Sequence, residues 1–333
     1  MKPSNLARFV SVGVLFAAIG ANASPSLLRE TQRIELPGVR GRIDHMAVDM
    51  ANKKLFVNAL GNNTVEVVNL GTGRVEKHLS GFAEPQGNLL VPELGRLLVT
   101  NGESAFAQIF DSATLHPVKK VELRDDGDNI RYDPMTRRAY VGCGKGRNGA
   151  LVVLDVQAGA KIADIELSGH PESFQLEATG TRIFVNVPTA QAVEVADRSS
   201  GKVVASWPLV ARKNYPMALD EARGRLFVGT RSPANLLVID TSSGVVVASL
   251  ESVGDADDIF YDMGTRRIYV SGGEGFVFVF EQLDADQYRL AGKVQTRPGA
   301  RTSLYVPEWK TLFVALPESS GMNAELRAYA TAP

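Results

Sequence analysis

Several features that often reveal a protein's class are scarce in this sequence. Cys143 is the only cysteine in 333 residues, which excludes an intramolecular disulfide, and no Cys-x-x-Cys-His motif is present for covalent c-type haem. Neither sign of charge dominates, since 36 lysines and arginines face 37 acidic residues, so nothing suggests nucleic acid or an anionic membrane as a partner. The apolar run from Phe9 to Ile19 has eleven residues and is too short to span a bilayer.

The first 23 residues have the pattern of a secretory signal. Lys2 and Arg8 give a positive start, the apolar run follows, and Ala21-Asn22-Ala23 supplies a small-x-small cleavage site. We therefore expect residues 1–23 to be removed and Ser24 to begin the mature chain. The protein is then periplasmic or secreted, with no membrane span after cleavage. The alternative is a buried N-terminal helix.

A phrase of the type Leu55-Phe56-Val57 recurs seven times at nearly constant spacing. Its copies end at Val57, Val99, Val141, Val185, Val228, Val270 and Val314, at intervals of 42 to 44 residues. Short runs of alternating apolar and polar residues lie between the copies, which favours strands over helices. A period of about 40–50 residues is typical of β-propeller blades, which bury their faces only against neighbouring blades. The sequence therefore predicts an all-β, seven-bladed β-propeller, with residues 24–333 forming one domain.

The last blade predicts how the ring closes. It has strand patterns over residues 302–306, 311–316 and 325–330, but no pattern for an outer strand. The segment 32–36 precedes the first blade and belongs to no blade of its own. We expect this N-terminal strand to be added to the last blade, because pairing the first and last elements leaves no open seam.

Three copies of the repeat resemble the Tyr-Val-Thr-Asn motif of YVTN-type β-propeller repeat proteins. They are Tyr140-Val141-Gly142-Cys143, Tyr269-Val270-Ser271-Gly272 and Leu98-Val99-Thr100-Asn101. The resemblance covers essentially the whole mature chain, although Pro92 and Pro307 replace a turn acid in blades 2 and 7. It implies the propeller fold, and propellers of this kind serve as binding platforms, electron-transfer partners and lactone hydrolases.

Alignment of the blades through the repeat predicts which side chains meet at one mouth of the central channel, where the first strands begin. The first ring is Asp44, Gly87, Asp128, Glu172, Tyr215, Asp257 and Thr302. The next ring is His45, Asn88, Asn129, Ser173, Pro216, Asp258 and Ser303. The residues that follow are apolar in all seven copies, which indicates that the core begins there and that the polar rings face a cavity.

Five carboxylates in these two rings predict a site for positive charge, because neighbouring acids raise one another's pKa unless a cation neutralises them. Oxygen ligands of this type suit Ca²⁺, Mg²⁺ or Mn²⁺, and a cationic ligand is the alternative. The candidate metal ligands are Asp128, Asn129, Glu172, Asp257 and Asp258, and the wider binding set adds Asp44, His45, Asn88, Tyr215 and Arg301. A purely structural interpretation instead pairs the acids with Arg42, Lys213 and Arg301.

Three functions fit these residues. The favoured one is a non-enzymatic platform, expected to be monomeric, that binds a small molecule or a periplasmic protein through the acidic mouth. The second is a metal-dependent hydrolase resembling the propeller lactonases, in which a cation polarises a lactone carbonyl and His45 or Asp44 acts as base. The third is a partner in periplasmic electron transfer. His78, His116 and His170 lie in separate blades and show no metal-ligand spacing.

Overall fold

The computed structural model describes Met1 and residues 27–332, so residues 2–23 of the predicted signal lie outside the described part. The described chain contains 28 strands arranged as seven four-stranded sheets. The strands up to blade 3 are β1 (Leu28–Leu36), β2 (Met46–Asp49), β3 (Lys54–Ala59), β4 (Thr64–Asn69), β5 (Arg74–Leu79), β6 (Pro85–Val91), β7 (Arg96–Asn101), β8 (Phe106–Asp111), β9 (Pro117–Glu122), β10 (Ile130–Asp133), β11 (Arg138–Cys143), β12 (Ala150–Asp155) and β13 (Ala160–Glu166).

Blades 4 to 7 follow the same plan. Their strands are β14 (Phe174–Leu176), β15 (Arg182–Val187), β16 (Ala192–Asp197), β17 (Lys202–Pro208), β18 (Arg212–Asp220), β19 (Arg225–Ser232), β20 (Ala234–Asp240), β21 (Val246–Glu251), β22 (Ala256–Asp262), β23 (Arg267–Gly272), β24 (Phe276–Gln282), β25 (Tyr288–Gln295), β26 (Ser303–Val306), β27 (Thr311–Leu316) and β28 (Ala324–Thr331). The helical segments of the described residues are short 3-10 turns at Leu60–Asn62, Pro92–Leu94, Pro188–Ala190, Glu221–Arg223 and Pro307–Trp309. None of the described helices is long and apolar enough to cross a membrane.

The sheets form a closed ring around a central channel. Six sheets contain four consecutive strands, from β2–β5 through β22–β25, and each strand pairs antiparallel with the next. The first strands contact one another around the ring, β2 with β6, β6 with β10, and so on until β26 contacts β2. The all-β, seven-bladed propeller predicted from the repeat is therefore confirmed.

The seventh sheet has the order β1-β28-β27-β26. The N-terminal strand β1 lies antiparallel to β28, with Ile34 opposite Leu326 and Leu36 opposite Ala324. Ile34 and Leu36 are buried in a cluster that also contains Leu55 of blade 1. This strand thus completes blade 7 and fills the boundary between the last blade and the first.

The core consists of seven apolar clusters, one at each boundary between neighbouring blades. Successive residues of a strand point to opposite faces of its sheet, so each blade contributes to two clusters. In β3, Leu55 and Val57 pack against blade 7, whereas Phe56 packs against Leu97 of blade 2. This alternation explains the Leu-Phe-Val phrase of the repeat, because all three residues are buried.

Candidate functional site

The starts of the first strands converge at one mouth of the channel, as the repeat predicts. Side chains from blades 1, 3, 4, 5 and 6 surround a narrow cavity of about 20 Å³, which is room for roughly one water molecule. Its lining residues are Arg42, Asp44, His45, Asp128, Asn129, Glu172, Ser173, Tyr215 and Asp257. Seven of the ten candidate binding residues are thus brought together here, and they are Asp44, His45, Asp128, Asn129, Glu172, Tyr215 and Asp257.

His45 occupies the centre of this mouth. Its Nε2 lies 3.4 Å from Asp128 Oδ1 and 3.6 Å from Asp44 Oδ1, and its Nδ1 lies 3.8 Å from Asp258 Oδ1. Burial alone would lower the pKa of His45, but the contact with Asp128 and the charges of the three carboxylates raise that pKa to about 10. The three carboxylates therefore favour the protonated, imidazolium form of His45 in the free protein.

A glycine permits the close approach of blades 2 and 3 beside His45. A Cβ on Gly87 would lie 2.0 Å from the carbonyl oxygen of Asp128, so no other residue fits without displacing the backbone. Asp128 lies two residues before β10, the first strand of blade 3, and its side chain is 10% exposed. Burial tends to raise the pKa of Asp128, but contact with the His45 imidazolium holds it below its ordinary value.

Asp44 is buried beside Arg42, whose Nη2 lies 2.8 Å from Asp44 Oδ2. Burial raises the pKa of Asp44 to about 6, despite the opposing effects of His45 and Arg42. Oδ2 of Asp44 and Oδ1 of Asp128 accept no well-aligned hydrogen bond from the described residues. Their interactions with Arg42 and His45 are consequently ionic contacts without directional hydrogen bonds.

Asp257 is held by two arginines. Arg231 Nη2 donates to Asp257 Oδ1 at 2.5 Å, and Arg301 Nε lies 3.3 Å from Asp257 Oδ2. Both arginines also contact Asp255 at 3.0 Å, and the Arg231 guanidinium lies 4.0 Å from the centroid of the Tyr215 ring. No feature of the repeat predicts Arg231 at this site, because β19 extends beyond the usual end of a second strand without any change in the spacing of the repeat.

The pairing interpretation of the mouth is therefore correct for part of the site. Arg42 and Arg301 form the expected ion pairs, and Arg231 is an additional cation. The predicted pairing of Lys213 with the acids of the mouth is wrong, because Lys213 is exposed and forms no ion pair within residues 27–332. The backbone at Lys213 has a positive φ of 60°.

Two candidate residues lie on the other side of His45. Asp258 Oδ2 accepts a 2.8 Å hydrogen bond from the backbone N–H of Ser303, and burial raises the pKa of Asp258 to about 7. Asn88 Nδ2 donates to Phe56 O at 3.1 Å and to Asn58 Oδ1 at 3.1 Å. Both side chains are engaged by the ring itself, and both border the channel beyond the mouth.

Glu172 differs from the other four carboxylates, because among residues 27–332 its side chain has no cation within 4.0 Å and accepts no hydrogen bond, although its backbone N–H donates to Asn186 O at 2.9 Å. Burial, followed by the charges of Asp128 and Asp257, raises the pKa of Glu172 well above its ordinary value. Glu172, Asp128 and His170 each offer a ligand atom within 4.8 Å of the others. The sequence did not place His170 at the mouth, since it precedes the first strand and the turn that brings it there has no counterpart in the repeat.

These distances test the predicted metal ligands. Asp257 and Asp258 are already engaged by arginines and by a backbone N–H, respectively. Asp44, His45 and Asp128 also cluster, but the imidazolium of His45 already supplies the positive charge there. The arrangement that fits a metal is therefore Asp128, His170 and Glu172, with His170 Nδ1 placed 2.5 Å from the carbonyl of Gly144.

Comparisons with solved structures support the fold. A chain of Kuenenia stuttgartiensis hydrazine synthase superposes with a TM-score of 0.72 at 18% identity, covering 84% of this chain and 95% of that one. A chain of the crystal structure of the Mitotic Checkpoint Complex superposes with a TM-score of 0.76 at 12% identity, and the match covers 100% of both chains. No family model matches the sequence, and no curated protein does. At these identities the likeness shows a seven-bladed, WD40-like propeller and no function.

Proposed function

We propose that the protein is an exported, non-enzymatic binding platform that captures a primary ammonium group at the acidic mouth. The observation that carries the proposal is the unpaired carboxylate of Glu172 beside buried Asp128, at the edge of a cavity of about 20 Å³. The ammonium belongs to a small amine or to a lysine side chain of a periplasmic protein. The rest of that ligand would lie over the mouth, because the cavity has no room for it.

The geometry favours an ammonium over larger cations. An ammonium has three N–H donors on a compact centre, and Glu172, Asp128 Oδ1 and Asn129 offer oxygen acceptors around the cavity. A guanidinium is planar and larger, and a quaternary ammonium has no N–H to donate. Both should therefore bind more weakly than a primary amine with the same alkyl chain.

Calorimetric titration with n-butylammonium tests this function. Hydrogen bonds to a charged group contribute about 1.5–3 kcal/mol each, so Glu172→Gln should weaken binding by roughly tenfold or more. The matched control is Glu251→Gln, because Glu251 is exposed on the outer strand β21 of blade 5. Equal affinity of wild type and E172Q for n-butylammonium, or tighter binding of tetramethylammonium, would contradict the proposal.

Proton release provides a second readout. A bound cation stabilises the Glu172 carboxylate, whose pKa is raised in the free protein, so binding should release protons and become tighter as pH rises. The number of protons follows from titrations in two buffers with different ionisation enthalpies. E172Q should show no such buffer dependence.

A hard-cation-dependent hydrolase is the second candidate, and the grouping of Asp128, His170 and Glu172 is the observation that favours it. A divalent cation held there would polarise a lactone carbonyl and activate water. Metal analysis of purified protein, with thermal melts in Ca²⁺, Mg²⁺ and Mn²⁺, separates the candidates. A stoichiometric ion that E172Q fails to retain favours the hydrolase, and the absence of any thermal stabilisation favours the platform. The electron-transfer role stays a prediction.

Export is a separate part of the proposal. The signal pattern predicts a mature chain that begins at Ser24. Mass spectrometry of the periplasmic fraction should find that N-terminus. A retained Met1 on protein in the cytoplasm would contradict this part and leave the binding site untouched.

A further inference from the structure

Beyond His45 the channel widens into a chamber with a volume of about 350 Å³. This volume lies in the range of sites for small organic molecules. The wall is mixed: its polar side chains include Asn88, Ser173, Gln175 and Ser303, and its apolar side chains include Leu219, Phe260 and Leu304. Leu219 and Phe260 are only partly buried, whereas His45 lies between the chamber and the acidic mouth.

Arg131 is the notable polar group of this chamber. It lies in β10, one residue after the apolar position at which the sequence predicted the core to begin. Its Nη1 donates to the carbonyl of Ile130 at 2.9 Å, and its Nη2 contacts Ser173 Oγ at 3.4 Å. No carboxylate of residues 27–332 lies within 4.0 Å of its guanidinium, although a guanidinium has five N–H donors. Arg131 is therefore a half-buried cation with unused donors, and its guanidinium lies 5.6 Å from the centroid of the Phe174 ring.

The other charges around the chamber do not neutralise Arg131. Asp258 is the carboxylate among the lining residues, and its oxygens already face His45 Nδ1 and the backbone N–H of Ser303. His45 carries a positive charge of its own and borders the same space. Burial lowers the pKa of Arg131, and the charges of Asp258 and Asp128 oppose that shift only in part.

We propose that this chamber is a second binding site, which takes a small organic monocarboxylate with an apolar body. The carboxylate would pair with the free N–H groups of Arg131, since a guanidinium matches a carboxylate in shape and charge. The apolar body would contact the walls formed by Leu219, Phe260 and Leu304. Inorganic phosphate should bind more weakly, because it has no apolar body to contact these side chains. The ligand enters from the side of Leu219 and Phe260, because His45 closes the other side.

Titration calorimetry with butyrate, benzoate, acetate and inorganic phosphate tests the assignment on the full chain. Butyrate and benzoate should bind saturably, and acetate and phosphate more weakly. Arg131→Gln should weaken butyrate binding at least tenfold, and Arg131→Lys should weaken it less because the charge is kept. Glu172→Gln should bind butyrate like wild type, so a failure of the ammonium site does not decide this one.

Three results would each overturn the proposal. They are saturable binding of neither butyrate nor benzoate, unchanged butyrate binding in R131Q, and phosphate binding as tight as that of butyrate. Thermal melts without ligand add an independent readout. An unpaired, half-buried cation should not stabilise the fold, so R131Q should melt at or above the wild-type temperature. A large drop in melting temperature would show that Arg131 has a structural role and would also overturn the assignment.

Discussion

The two ends of the channel are built by the same seven strands but differ in how their charges are balanced. At the mouth, four of five carboxylates face a cation, and His45 alone contacts Asp44, Asp128 and Asp258. In the chamber, Arg131 has no acidic partner among the described residues. Charge compensation at the mouth therefore contributes to stability, whereas in the chamber the proposed carboxylate ligand would balance the charge of Arg131.

The difference follows from position along the first strand. Residues at the start of each strand precede the buried apolar ring, so polar side chains can vary there without disturbing the core. Arg131 comes after that ring, where the corresponding residues include Ala47 and Ala218. A charged residue at such a position is costly unless it binds something. The paired charges of the mouth are thus structural, whereas the charge of Arg131 is not.

Loss of ring closure should unfold both the mouth and the chamber, so it should have the largest effect on stability. Deleting residues 28–36 removes three buried aliphatic side chains, Leu28, Ile34 and Leu36. At about 1.5–3 kcal/mol for each, the loss is comparable to the stability of a typical domain. We expect thermal denaturation to show little or no folded protein. Glu35→Ala is the control, since Glu35 is exposed in the same strand and should change stability by about 0.5 kcal/mol or less.

Replacing His45, the cation at the centre of the mouth, should destabilise the mouth and leave the chamber walls intact. His45→Gln leaves three carboxylates without their shared partner, so the free energy of unfolding should fall by about 3–5 kcal/mol. The pKa of His45 is about 10 in the folded protein and about 6.5 when unfolded, so its stabilisation is complete below pH 6.5 and is lost towards pH 10. Urea denaturation between those two pH values should show a decline in wild type that H45Q lacks. Parallel curves for the two proteins would refute this account of the charge balance.

Within the mouth, replacing a paired acid should lower stability, whereas replacing an unpaired acid should not. This difference is smaller than the effects above. Asp257→Asn should lower stability by about 1–3 kcal/mol, because Arg231 and Arg301 lose a charged hydrogen-bond acceptor. Glu172→Gln should leave stability unchanged or slightly raise it, since it removes one charge from a group of like charges. Thermal melts of both variants in the same buffer give the comparison. A loss in E172Q as large as that in D257N would mean that Glu172 is a structural residue.

The repeat was sufficient to predict the fold and the ring of residues at the mouth, because burial repeats with the blades. It could not predict pairing, which depends on side chains from loops and strand ends that differ between blades. Arg231 and His170 lie outside the aligned first strands, and both were missed. The chamber escapes prediction for a different reason: the apolar ring that begins with Met46 predicts the start of the core, whereas the channel continues past it.

The most direct test of the central claim is an NMR titration of the Glu172 side-chain carboxyl carbon, with and without n-butylammonium. The account predicts a pKa well above the ordinary value for glutamate in the free protein, because burial and the charges of Asp128 and Asp257 outweigh the opposing charges of Arg231 and Arg42. Saturating n-butylammonium should lower that pKa. An ordinary pKa for Glu172 that n-butylammonium does not change would contradict the claim that the mouth is a recognition site for an ammonium group.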